Sequence, residues 1–155
     1  NGLRFRPDFD RYAEDEEFTA LLVLRAKRLF TTSAKAYFYR QHPHSVIHHL
    51  GKRDLVKRQV NTERAVRYLQ ERLAFLPNPE RLALQRRIAQ LSMDYLYNTA
   101  RLTHSLTRLD KACERLRAHG LFPLPEQRYT RKYALFRRLC NTKWGRGIII
   151  AATFR

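Results

Sequence analysis

From Glu80 to His119 the chain contains neither proline nor glycine. Leu84, Ile88, Leu91, Tyr95, Asn98, Leu102, Leu106, Leu109, Cys113 and Leu116 recur through this stretch at steps of three and four. That period places them on one face of a helix. Asn78 and Pro79 supply a start, because Asn caps well and Pro fits the first helical position. Gly120 supplies a stop. The pattern predicts one long helix over about residues 79–119, close to 60 Å in length at 1.5 Å per residue. A chain of 155 residues cannot wrap such a helix completely. It must therefore fold as a hairpin or bundle, or project into a partner. Asn98 on the seam marks a place where register is fixed or the helix breaks.

The flanking sequence is also helical in pattern. Phe18, Leu21, Leu22, Arg25 and Leu29 share one face of a stretch running from Arg11 to Arg40, with Thr31 and Thr32 as a possible bend. Pro43 breaks it. Ser45 is placed to cap a second helix running toward Val60, and Thr62 to cap a third carrying Val66, Leu69 and Leu73. Gly-Leu-Phe-Pro-Leu-Pro, residues 120–125, predicts an extended linker. Tyr129, Tyr133 and Phe136 then fall at i, i+4 and i+7 of a last helix, and Gly145, Gly147 and Ile148–Ile150 predict an extended end. The expected fold class is all-α: a helical hairpin or bundle with one long helix and an extended basic C-terminal tail. Residues 1–122 form the helical domain. Residues 123–155 form the basic helix and tail of the same structural unit.

Charge narrows the partners. Lys and Arg number 31 against 14 acids, a formal net charge of +17 and a pI near 10.8. Self-repulsion on this scale opposes compaction unless a polyanion screens it. Arg outnumbers Lys by 24 to 7. Arginine pairs bidentately with phosphate and stacks on bases, so the bias favours RNA, although GC-rich codons would produce the same bias. The acids gather at the front: Asp8, Asp10, Glu14, Asp15, Glu16 and Glu17. They favour a helix N-terminus, or a partner different from that of the basic body. No acid follows Glu126, whereas eight bases do.

The densest basic stretch holds Arg128, Arg131, Lys132, Arg137, Arg138, Lys143 and Arg146. With Trp144 as a stacking ring between cations, these are the expected RNA contacts, joined by Lys52, Arg53, Lys57 and Arg58. Trp144 suits the core equally well. Tyr133 and Phe136 are the expected anchors of the helix presenting the charges.

Other chemistries find little support. There is no phosphate-binding glycine loop, nucleophile elbow or HExxH, so no enzyme, cofactor or small-molecule substrate is expected. His42, His44, His48 and His49 lack an acid or thiol to complete a metal site, and none is expected. Cys113 and Cys140 stand alone, which favours a reducing compartment. Cys113 belongs to the apolar seam, and Arg137 and Arg138 beside Cys140 would lower its pKa. Asp94 and Asp110 are expected to balance arginines of their own helix. No apolar run approaches a membrane span. A start at Asn1 rather than Met fits a removed organelle-targeting segment or a partial chain.

Small, Arg-rich and helical with a basic end, the chain resembles organellar ribosomal proteins. Leu24, Arg28–Leu29, His42–Ser45, Leu50 and Lys57–Arg58 together resemble a motif of the small-subunit ribosomal protein fifteen family, whose helix ends near a His/Ser turn that contacts RNA. The Asp that normally precedes the His pair is missing, and Pro43 intrudes. The resemblance implies a structural constituent of a mitochondrial ribosome in the matrix, with rRNA and neighbouring ribosomal proteins as partners. The alternative is a matrix-facing accessory subunit of a respiratory or ATP-synthase complex.

Overall fold

The computed structural model describes residues 14–35 and 52–154. Their regular structure is helical throughout: α1 (Glu14–Arg25), α2 (Lys52–Arg72), a short 3₁₀ turn (Leu73–Phe75), α3 (Asn78–Thr103), α4 (Leu106–Ala118), α5 (Arg131–Cys140) and α6 (Lys143–Ala152). The all-α bundle expected from periodicity is what forms. The histidines at 42–49 and Ser45 lie outside the described residues.

The scaffold is an antiparallel hairpin of α2 and α3. Gln59 donates to Thr99 at 2.8 Å, and Tyr95 donates to Glu63 at 3.4 Å. Residue numbers rising on one helix as they fall on the other define the antiparallel sense. The 3₁₀ turn, Leu76 and Pro77 separate the helices; Pro77 is the cap residue of α3, so Asn78 is its first helical residue rather than the expected cap, with Pro79 next in the first turn. α1 packs on both and brings Glu16 to an ion pair with Arg87.

The long helix predicted over 79–119 is two helices. His104 adopts a left-handed conformation, φ 46°, and its N–H bonds to the Ala100 carbonyl. Ser105 then caps α4, its hydroxyl accepting from the Arg108 N–H. The break has a packing reason. A straight helix would carry Leu109, Cys113 and Leu116 away from the hairpin, whereas the turn folds α4 back along α3 and buries all three. The corner itself is wet: Leu102 and Leu106 are 40% and 42% exposed, against the expected burial of Leu102. Asn98 is not the break point.

Gly120 ends α4 at φ 68° in a Schellman arrangement, with Leu121 N–H bonded to the Leu116 carbonyl and Gly120 N–H to that of Arg117. The following segment is no free linker. Leu121, Phe122 and Leu124 are buried. The Asn141 side chain holds Leu124 from both sides, accepting from its N–H and donating to its carbonyl. One hydrophobic cluster thus joins Leu69, Leu96 and Leu116 to Tyr133 and Ile149 across the boundary at 122.

Three further expectations are corrected. The C-terminal segment is helical, not extended: Thr142 caps α6 by accepting from Gly145 N–H, and Ile149 and Ile150 gain burial that outweighs their strand preference. α2 runs unbroken through Asn61 and Thr62. The Thr62 hydroxyl donates back to the Arg58 carbonyl rather than capping a new helix. α1 stops at Arg25, leaving Leu29 and Phe30 exposed.

Candidate nucleic-acid interface

The basic C-terminal stretch is presented by α5, which the sequence anchors at both ends. Thr130 caps its start, accepting from the Tyr133 N–H at 3.0 Å. The Tyr133 ring is fully buried and its hydroxyl donates to the Pro125 carbonyl at 3.1 Å. Burial pushes its phenol up to about 12. Tyr129 lies against it, ring centroids 5.1 Å apart, and Phe136 meets Tyr97 edge-on. The expected aromatic anchors are therefore in place.

With that face occupied, Arg131 and Arg138 are left exposed on the other. With Arg128, Arg137, Thr130 and Thr142 they line a groove of about 810 Å3. Glu126 is its single acid and pairs with Arg137 at 3.5 Å. The Arg137 side chain is only 19% exposed, and its Nε is buried without a hydrogen-bond partner. The α5 N-terminus, at the Thr130 side of the groove, adds the positive end of the helix dipole. Geometrically the groove is a cationic channel suited to a chain of phosphates.

The other predicted contacts scatter. Lys132 points to the opposite side of α5, its amine 5.5 Å from the centre of the Tyr97 ring. Arg58 and Lys132 both act electrostatically on Asp94. Asp94 keeps solvent access, yet the surrounding protein pushes its carboxyl up against the opposing pull of Lys132, Arg87 and Arg58. Lys57 and Arg58 are exposed on α2, and Lys52 and Arg53 fall in its first turn. Lys143 and Trp144 are exposed on α6, with Trp144 87% accessible, so the core alternative for Trp144 does not hold.

Arg146 does not join the surface. It is 6% exposed, its Nε donates to Asp110 at 2.5 Å and its Nη1 to the Cys140 carbonyl at 2.9 Å. Asp110 thus pairs across 36 positions of sequence, not within its own helix. The cysteines do not stand alone either. Both are buried, and the hydrogen bond with Cys113, followed by burial, pushes the Cys140 thiol up rather than down. The arginine that acts on the Cys140 thiol is Arg146, not Arg137 or Arg138 beside it in sequence.

Sequence reading missed Arg86 and Arg101 of α3. Arg86 lies 5.9 Å from the centre of the Tyr129 ring. Arg101 lines, with Lys132, a second groove bounded by α3, α5 and α6. Their position on the polar face of α3 was the available signal, but nothing local tied them to α5. Among the described residues no three His, Cys, Asp or Glu side chains converge as a metal site, and no helix is long and apolar enough to cross a membrane. Fold and groove together define a strongly basic all-α bundle with a cationic groove along α5. No protein-family model, curated protein or solved structure matches the chain.

Proposed function

We propose that the protein is a non-enzymatic structural constituent of a ribosome, that of mitochondria, binding rRNA through its C-terminal arginines and bridging to neighbouring proteins. The observation that carries this reading is the groove that runs along α5, lined by Arg128, Arg131, Arg137 and Arg138 with Glu126 as its only acid. Arginine there neutralises phosphates of packed RNA, and guanidinium stays charged across physiological pH. Trp144 and Lys143 offer an additional stacking and phosphate contact to an unpaired base.

The test is RNA binding by the purified chain as a function of salt. With about six phosphate contacts, the log–log slope is about −4 to −5, between the single-strand and duplex limits. Arg131→Glu with Arg138→Glu weakens binding more than tenfold and leaves the helical circular dichroism unchanged, because both side chains are exposed. In cells the protein is expected to sediment with ribosomal subunits and to be released by RNase. A flat salt dependence, or full binding by the double variant, refutes the RNA reading. Sedimentation with a respiratory or ATP-synthase complex instead refutes the ribosomal one.

A further inference from the structure

The groove between α3, α5 and α6 differs in character from the arginine channel. It measures about 670 Å3, and Met93, Tyr97, Phe136 and Ile149 form its apolar floor. Leu135 and Ile148 stand at its mouth, 64% and 49% exposed. Arg101 and Lys132 are its cations, and Asp94 its single carboxylate.

Among the described residues, none covers this surface on the α6 side. One side of the helix buries Ile149 and Ile150. The other exposes Trp144, Ile148 and Ala151, and a Cβ added at Gly147 would meet nothing within 4 Å. A helix that is apolar around most of its circumference is normally enclosed. Ile148 belongs both to the groove and to the Trp144 face, so the two form one continuous apolar surface.

We propose that this groove is the docking site for an acidic amphipathic helix of a neighbouring protein. The proposal deepens the protein-bridging part of the proposed function and rests on it, while the RNA part can stand or fall separately. Concavity decides against a lipid surface, because a bilayer does not fill a trough of this depth. Charge decides against a second copy, since each chain carries +17. The apolar floor decides against RNA, because burying phosphate there would strip its hydration with Arg101 as the groove's single arginine, against four in the α5 groove. What remains is a helix whose apolar side chains at i, i+3 or i+4 and i+7 fill the trough, with acids on its flanks meeting Arg101 and Lys132.

The probe is a fluorescein-labelled synthetic helical peptide with that leucine stripe and glutamate flanks, titrated with the full chain and followed by anisotropy. Two controls share its length: one with the same composition scrambled, and one with lysine in place of glutamate. The striped acidic peptide is expected to bind at least tenfold more tightly than either. Ile148→Asp and Ala152→Trp, at exposed positions of the groove, each weaken it at least tenfold. Arg101→Glu narrows its advantage over the lysine peptide. Binding of single-stranded RNA, measured on the same samples, stays within twofold for Ala152→Trp, which adds no charge and does not line the Trp144 face.

Equal binding of striped and scrambled peptides would show only the attraction of a +17 surface for acid, and overturns the proposal. So does peptide binding indifferent to Ile148→Asp and Ala152→Trp. If those variants lower RNA affinity and spare the peptide, the groove belongs to RNA. If phosphatidylglycerol vesicles bind through Ile148 while the peptides are not distinguished, it belongs to a membrane surface, and the proposal is overturned there too.

Discussion

Removing Asp110 should be among the costliest single changes at a polar side chain of this protein. Arg146 is 7% exposed as a side chain, and Asp110 supplies the one carboxylate bonded to it, at 2.5 Å. Its remaining described bond goes to the Cys140 carbonyl, which carries no countercharge. Asp110→Ala strands a guanidinium in the core, and breaking a buried pair from one side costs about 3–5 kcal/mol. Asp110 itself is 38% exposed. Water can enter from its side, so the lower end, about 3 kcal/mol, applies. With a urea m-value of about 2 kcal/mol/M, the midpoint of denaturation falls by about 1.5 M.

Arg146→Met keeps volume and apolar stem but removes the charge, leaving Asp110 to solvate and the Cys140 carbonyl to lose a donor, at about 1–2 kcal/mol. The double variant should then cost less than the sum of the singles by at least about 1 kcal/mol, since an apolar replacement leaves no charge stranded. Urea titration of the four proteins, read by circular dichroism, measures the cycle. Additive singles, or an Asp110→Ala change within about 0.5 kcal/mol of zero, would refute the claim that this pair holds α6 to α4. RNA affinity should be untouched by Arg146→Met, because the residue faces inward.

Leu109→Ala should cost about 2–5 kcal/mol, whereas Leu102→Ala at the exposed corner should cost well under half of that, both read from denaturation midpoints. Gly145→Ala should prevent α6 from docking as it does: a Cβ there would lie 2.1 Å from the Leu139 carbonyl oxygen, a backbone atom that cannot step aside, and a loss of helical signal and cooperativity reports it. Tyr133 makes the fold sensitive to alkali. Its folded phenol is raised to about 12, so its contribution is intact below about pH 10 and is lost as pH rises toward 12, by up to about 3 kcal/mol. Tyr133→Phe should flatten that part of the stability profile in urea titrations from pH 9 to 12.

Helical content, the α3 and α4 seam and the anchoring role of Tyr133 were legible in the sequence, because each depends on local spacing. Apolar residues at steps of three and four have one way to share a face, and Gly120 marks a terminus through its own backbone preference, whereas Asn78, expected to cap α3, is its first helical residue behind Pro77. Composition likewise determined that this surface repels itself and attracts polyanions. What the spacing did not contain was direction. The seam continues unbroken through His104 and Ser105, and only the gain from folding α4 back onto the hairpin selects the left-handed turn there. The three isoleucines of α6 read as strand until Ile149 and Ile150 have a core to enter. Arg146 shared its neighbourhood with six RNA-facing candidates, and no local signal separates it from them. Its partner Asp110 lies on another helix, 36 residues away, and whether an arginine meets phosphate or a buried carboxylate is decided by which side of its helix the tertiary packing closes.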